Sequence, residues 1–294
     1  MTAHPRTLTA DRFEADRPLL RAVAHRLLGS LGEADDAVQE TWLRASRADI
    51  GEVENLTAWL TTVVGRVSLN MLRSRRTRRE EPLELQPGEE VAAGGGGDPA
   101  EEALLADEVG VALLVVLDTL GPDERLAFVL HDLFAVPFDA IAPLIERTPA
   151  TTRQLASRAR RRVRGGTPPV ADAARQRQVV EAFLAATRGG DFDALLALLH
   201  PDVVLTADRF VVPTPGPVSL SGGRSVAESA MTAAGRARYT GPALLDGRVG
   251  LVMAPLGRLR LALLFTVADE RITGIEIVAD RERLAALEVA VPGA

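Results

Sequence analysis

Residues 121–165 read GPDERLAFVLHDLFAVPFDAIAPLIERTPATTRQLASRARRRVRG, and the rest of the chain is read outward from that stretch. Phe138, Ile141, Ala142 and Ile145 recur at the three-and-four spacing of one short helix. Thr148-Pro149 predicts a new start, because the threonine hydroxyl can cap a helix and proline is tolerated in its first turn. In the helix that follows, Leu155 and Ala159 are expected to pack inward. Arg153, Gln154, Ser157, Arg158 and Arg161 are expected to project outward. The pattern is that of a helix-turn-helix, and its outward set suits the major groove. Arginine can pair bidentately with guanine, glutamine can read adenine, and further guanidinium groups can clamp phosphate. Periodicity alone also fits a helical hairpin whose arginines are simply solvated. Two features depart from the pattern: Pro143 interrupts the first helix, and Glu146 holds a turn position that favours glycine or a small residue.

The arginines around that helix form one of two clusters. Arg153, Arg158, Arg160, Arg161, Arg162 and Arg164 make the first; Arg66, Arg73, Arg75, Arg76, Arg78 and Arg79 make the second. The whole chain carries a net charge of -6, so it is not a uniformly basic nucleic-acid binder. Two concentrated cationic patches on an acidic chain point instead to local polyanion contact. The competing reading is arginine placed favourably against the C-terminal dipoles of two helices.

Composition removes several classes of chemistry. All 34 basic residues are arginine, which excludes Schiff-base lysines and the P-loop lysine. The absence of cysteine excludes disulfides, thiolate metal sites and a cysteine nucleophile. His4, His25, His131 and His200 are scattered without ligand spacing, so no metal site is expected. Aromatics at 4% argue against stacking platforms, while 47% hydrophobic residues over 294 positions suffice for two or three ordinary cores. The segment MTAHPRTLTADRFEADRP lacks the apolar core of a secretory signal. Runs such as Val111 to Leu117 fall short of the roughly 20 residues that span a bilayer. A soluble, cytoplasmic protein without membrane contact is expected.

Residues 13–79 read as helical. Leu19, Leu20, Val23, Leu27, Leu28 and Leu31 form one apolar stripe before Gly29 and Gly32. EADDAVQETWLRASR follows, with Ala37, Val38, Thr41 and Trp42 inward and Asp35, Asp36, Gln39 and Glu40 on the other face. From Leu56 a third helix runs to the arginine cluster, its buried side drawn from Trp59, Leu60, Val63, Val67, Met71 and Leu72. Residues 80–100, with Gly94 to Gly97 and an excess of glutamate, read as a linker. A second helical block runs from about Pro99 to Arg164, and RGGTPPVADA marks a further boundary. From Ala173 the chain reads as two amphipathic helices, then strands at Asp202–Thr206, Arg248–Met253, Arg258–Val267 and Ile272–Ala279. GGRSVAESAMTAA reads as a helix between strands.

Together these motifs resemble a sigma factor of the extracytoplasmic-function type. ADDAVQETWLRA resembles the helix that docks on the β′ clamp helices of core RNA polymerase. NLTAWLTTVVGRVSLNMLRSRRTRR resembles the helix that opens and reads the −10 element, and residues 122–163 resemble the domain that reads the −35 element. RQVVEAFLAATRGGDFDALLALLHPDVVL is similar to the opening of the SnoaL-like (NTF2-like) cone. The resemblance implies a multidomain chain: two all-α sigma domains (a region 2 helical bundle, 8–80, and a region 4 helix-turn-helix, 101–165) and an α+β NTF2-like cone (173–294). An acidic glycine-rich linker covers 81–100.

What the resemblance implies about sites is specific. Asp35, Asp36, Gln39 and Glu40 would meet polymerase; Asn55, Arg66, Asn70 and Arg73 would contact the −10 strand; Arg153, Gln154, Ser157, Arg158 and Arg161 would read the −35 duplex. The implied partners are the β′ clamp helices, the β flap and promoter DNA, with the cone contacting the sigma domains and regulating them in cis. No cofactor and no catalysis are implied. The relatives' glycine-rich acidic motif is replaced here by Ala207-Asp208-Arg209-Phe210-Val211. Two other classes stay open at this stage: a ligand-responsive helix-turn-helix regulator, and an NTF2-like enzyme using His200, Asp202 or Asp208. An ordinary repressor has no use for the acidic docking helix, which favours the sigma reading.

Overall fold

The computed structural model describes residues 8–78, 110–166, 172–211 and 216–293. In chain order, α1 (Ala10–Leu28), α2 (Leu31–Ala45) and α3 (Leu56–Arg78) come first. Next are α4 (Val111–Thr119), α5 (Pro122–Phe128), a π-type turn (Val129–Leu133), α6 (Phe138–Ile141) and α7 (Pro149–Arg164). Then follow α8 (Ala173–Gly189), α9 (Phe192–Leu198), β1 (Leu199–Ala207), β2 (Val218–Ser221), α10 (Gly223–Thr232) and α11 (Ala234–Ala237). The chain finishes with β3 (Thr240–Leu245), β4 (Arg248–Met253), β5 (Leu261–Ala268), β6 (Arg271–Val278), α12 (Arg281–Ala286) and β7 (Val289–Ala290). Helices followed by an α+β part is the expected order. The expected linker at 81–100 lies outside the described residues.

The chain packs as two units, one from residues 8–78 and 119–160 and the other from residues 110–118 and the described residues after 160. In the first unit, the Ser30 hydroxyl accepts from the Glu33 N–H where α2 begins. The stripe of α1 is buried at Leu20, Val23, Leu27 and Leu28, but Leu19 is exposed. Phe13, two turns before Leu20 on the same side of the helix, extends the buried stripe instead. Ala37, Val38 and Thr41 of α2 are buried as expected, and half-buried Trp42 meets Phe13 at 5.2 Å. On α3, Leu60, Val67 and Leu72 are buried with Val64 and Leu69, while Trp59, Val63 and Met71 are half-buried.

The second unit is built on a seven-stranded sheet in the order β2-β1-β6-β5-β4-β3-β7, with only the β1–β6 pair parallel. Alternation along the strands divides its side chains between two cores. Val203, Leu205, Leu244, Leu251, Phe265 and Ile275 face α8, α9 and α10. The opposite face presents Ala243, Leu245, Val252, Ala262 and Val278 to Val111, Ala112 and Val115 of α4 and Leu284 of α12. By sequence α4 belongs to the 101–165 block; by packing it belongs to the sheet.

The Asp246-Gly247 pair has positive φ at both positions, as a two-residue hairpin between β3 and β4 requires. Strands β2, β3 and β7 had not been expected. In β3 the sequence TGPALL carries two strand breakers, but Pro242 lies beyond the short pairing of β7 with Leu244 and Leu245. Gly241 is where α4 approaches the sheet: a Cβ there would lie 2.9 Å from Val111 Cβ. β5 begins at Leu261, not Arg258: the Arg258 N–H still donates back to Pro255 in the turn, and pairing with β4 begins only at Leu261 opposite Met253.

His25 lies in the core of the first unit, and its Nδ1 has no partner among the described residues. Burial, followed by the charges of Arg26 and Arg21, pushes its imidazole down to about 4. The unfolded chain therefore binds more protons between about pH 6.5 and 4, so stability is full above that window and falls as pH drops through it. The loss from this group is expected to approach about 3 kcal/mol. Urea unfolding across the window should show a shallower loss in His25→Gln than in the unsubstituted chain; equal losses would contradict the assignment.

Candidate nucleic-acid interface

The turn before α7 uses Glu146 at φ 56°, the left-handed region where glycine is at ease. Pro143 sits in a short 3₁₀ segment, Ala142–Leu144, which is how the first helix accommodates it. Thr148 then caps α7: its hydroxyl oxygen accepts the Thr151 N–H at 3.2 Å. This start phases α7 so that Thr152, Ala156, Ala159 and Val163 form the buried seam. Leu155, expected inside, is half-buried, and Ala156 takes the inward place.

Arg153, Gln154, Ser157, Arg158 and Arg161 are all exposed on α7. No acidic residue shares that helix, so the exposed face is uniformly cationic or neutral. The guanidinium of Arg153 lies 5.3 Å over the ring of Phe138, and that ring stacks on His131 at 3.7 Å. Arg160 does a different job, pairing with Asp132 at 2.6 Å and tying α7 to the π turn.

The second cluster is less uniform. On α3, Arg66 and Asn70 are exposed and Arg73 lies on the same face, but Arg73 pairs with Asp123 at 2.9 Å. Arg75 turns away from them and donates to Glu33 at 3.0 Å and to the Leu28 carbonyl at 3.2 Å. The Arg78 side chain and Arg79 lie outside the described residues. Asn55 has a capping role: its Oδ1 accepts the Ala58 N–H at 3.0 Å, which fixes the start of α3. The loop before it is tied by Gly51 donating to Asp49 Oδ1 at 2.9 Å and Val53 to the Ile50 carbonyl at 3.1 Å.

The acidic face of α2 is present, with two of its carboxylates engaged. Asp35 pairs with Arg21 and Glu40 with Arg44, both at 2.7 Å, while Asp36 and Gln39 are exposed. Exposed pairs of this kind contribute at most about 1 kcal/mol, so a stronger partner can displace them.

In the sheet unit, His200, Asp202 and Asp208 do not converge. His200 Nδ1 accepts the Asp202 N–H at 3.1 Å, and the Asp202 carboxylate points into solvent. Burial would raise the Asp208 carboxyl, but backbone N–H groups of Ala279, Asp280 and Phe210 and the charge of Arg283 together hold it below the usual range. Asp208 thus serves as a clasp between the end of β1 and the end of β6. Sequence reasoning missed Asp123 and buried Arg125, charged residues at the head of an apolar helix whose partners are distant in the chain.

Residues 12–78 match the family Sigma-70 region 2, and residues 110–163 match Sigma-70, region 4. The chain is 42% identical over 208 residues to the ECF RNA polymerase sigma factor SigJ of Mycobacterium tuberculosis, an alignment covering 68% of this chain and 65% of that protein. It is 39% identical over 193 residues to a probable ECF RNA polymerase sigma factor, SigI, of the same organism, covering 65% and 67%. The crystal structure of M. tuberculosis SigJ is similar at 32% identity and a TM-score of 0.44, covering 94% of this chain and 98% of that one. No helix among the described residues is long and apolar enough to cross a membrane.

The cap geometry carries a direct test. Thr148→Ala is expected to destabilise the first unit by about 1 kcal/mol, read from denaturant unfolding, with faster amide exchange in the first turn of α7. An unchanged midpoint and unchanged exchange would contradict the cap.

Proposed function

Because the chain belongs to the extracytoplasmic-function RNA polymerase sigma factor family, we propose that it is a dissociable promoter-specificity subunit with no catalysis of its own. The observation that carries this reading is the exposed row Arg153, Gln154, Ser157, Arg158 and Arg161 on a helix started by its own threonine cap. Arg153 and Arg158 would pair with base edges of the −35 element, Gln154 with an adenine, and Ser157 and Arg161 with phosphate. Arg66, Asn70 and Arg73 lie at spacings of four and three, which lets them follow one strand of the −10 element together. Asn55 would act there mainly by setting the start of α3.

The acidic face of α2 would bind basic surface on the β′ clamp helices, with Asp36 and Gln39 immediately available and Asp35 and Glu40 exchanging their present partners. The β flap would receive the region around α5 to α7. All of this takes place in the cytoplasm, where polymerase and promoter are.

The NTF2-like unit would regulate in cis through α4. This helix is apolar almost all round, as buried helices are, and its Val111, Ala112 and Val115 are covered by the sheet. Near the end of α7, Val291 donates to the Val163 carbonyl at 2.9 Å, so the segment after β7 holds the last turn of the promoter-reading helix. Both contacts lie within the sheet unit and would give it a hold on the two ends of the region 4 segment.

Run-off transcription with core polymerase, on templates selected from a randomised promoter library, tests the proposal. Arg153→Ala and Arg158→Ala are each expected to weaken use of the selected −35 sequence by roughly 1–3 kcal/mol per lost base contact, about 5- to 150-fold. No promoter-dependent transcript from the unsubstituted chain would refute the reading.

A further inference from the structure

The last turn of α7 carries exposed Arg161 and Arg164 and belongs to the sheet unit, where Val291 holds it. Val291 directly follows the Ala290–Leu244 pair, and Thr240 begins the same strand, β3, four residues before Leu244. At a strand rise of about 3.3 Å per residue, Thr240 lies within about 20 Å of that turn.

A separate group of arginines surrounds Thr240. Arg236 and Arg238 precede it in the chain. Arg260 stands just before β5, where its N–H donates to the Met253 carbonyl at 2.9 Å, and Met253 pairs with Thr240. All three side chains are exposed, and none pairs with a carboxylate among the described residues. The backbone beneath them is fixed. Arg188 donates to the Ala237 carbonyl at 3.1 Å and to the Thr240 carbonyl at 2.6 Å, tying the end of α8 to the start of β3. The Arg238 guanidinium lies 4.7 Å over the Tyr239 ring, which orients it without using its hydrogen-bond donors.

Carboxylates are scarce at this end of the sheet. Between Ser229 and Ala268 the sequence has only Asp246, which follows the far end of β3. Asp280, two residues past the Ala262–Val278 pair, is engaged as the cap of α12, accepting the Glu282 and Arg283 N–H groups at 3.0 Å. Three unneutralised guanidinium groups repel one another, and a row of phosphates relieves that repulsion. They come from a helix end and a turn, not from an element that could enter a groove, so they suit the DNA backbone and not base edges. The 20 Å span to α7 corresponds to about six base pairs at about 3.4 Å per pair.

We propose that Arg236, Arg238 and Arg260 form a second DNA contact, through which the NTF2-like unit grips the phosphate backbone of the duplex flanking the −35 element. The inference rests on the sigma-factor reading and deepens it: the sheet unit becomes part of the promoter-binding surface. It contributes affinity and salt dependence, and leaves the choice of sequence to α7.

Polymerase reconstituted with the full chain, on a promoter selected by that holoenzyme, tests the contact. In Arg236→Ala/Arg238→Ala/Arg260→Ala, affinity at moderate salt is expected to fall about tenfold or more. The slope of log affinity against log salt is expected to flatten by about 2 to 3, since each phosphate contact contributes about 0.9. Hydroxyl-radical footprinting is expected to lose protection of backbone positions flanking the −35 element while both elements stay protected. Arg236→Lys/Arg238→Lys/Arg260→Lys is expected to restore slope and footprint, because it restores the charge. An unchanged slope and footprint in the alanine variant would overturn the contact, as would a loss that lysine does not restore. Weaker binding with an unaltered footprint would assign the arginines to polymerase and overturn it as well. Protection of no promoter by the unsubstituted holoenzyme would instead overturn the sigma-factor reading.

Discussion

The burial of α4 against one face of the sheet is the constraint from which much of this architecture follows. Val111, Ala112 and Val115 lie on Ala243, Leu245, Val252, Ala262 and Val278, and Gly241 is small so that Val111 can come close. Each buried valine contributes on the order of 1.5–3 kcal/mol relative to exposure, an upper estimate because unfolded chains already hide some surface. A helix of nine residues has no comparable stability of its own. It is helical because the sheet covers it. The sheet, in turn, has an apolar second face because α4 and α12 cover it. The two sequences make sense only together, which is why a region 4 helix is part of the C-terminal unit.

Charge is organised on a different principle from apolar surface. Where arginine serves the fold it is paired or capped inside the protein: Arg75 on Glu33 and Leu28, Arg125 on Leu27, Arg160 on Asp132. Where it is left exposed in a row, as on α7, no acidic residue of the same helix neutralises it. Arg73 stands between these states, exposed yet paired. The two arginine clusters that look alike in sequence are therefore mixtures of structural and available guanidinium groups, and only three-dimensional packing sorts them.

Much of this was legible in the sequence. The three-and-four spacing of Leu20, Val23, Leu27 and Leu28 and the Thr148-Pro149 start each have a local physical cause, and each is found. The outward set on α7 was legible because one helix start phases every later side chain. What was hidden depends on distant partners. Strand β3 was obscured by Gly241 and Pro242, whose presence is explained by α4 and by the shortness of β7. Leu155 and Ala156 differ by one position, and the seam through Thr152 and Val163 decides between them. The pairing of Asp123 with Arg73 joins residues 50 positions apart, beyond any periodicity. The acidic linker lies outside the described residues.

Native-state hydrogen exchange resolved to single amides of α4 tests the central claim most directly. With the sheet as its source of stability, α4 is expected to exchange as slowly as β3 and β4, and to lose that protection in Gly241→Val while β5 and β6 keep theirs. Exchange of α4 at the rate of surface loops in the unsubstituted chain, beside a fully protected sheet, would contradict the account.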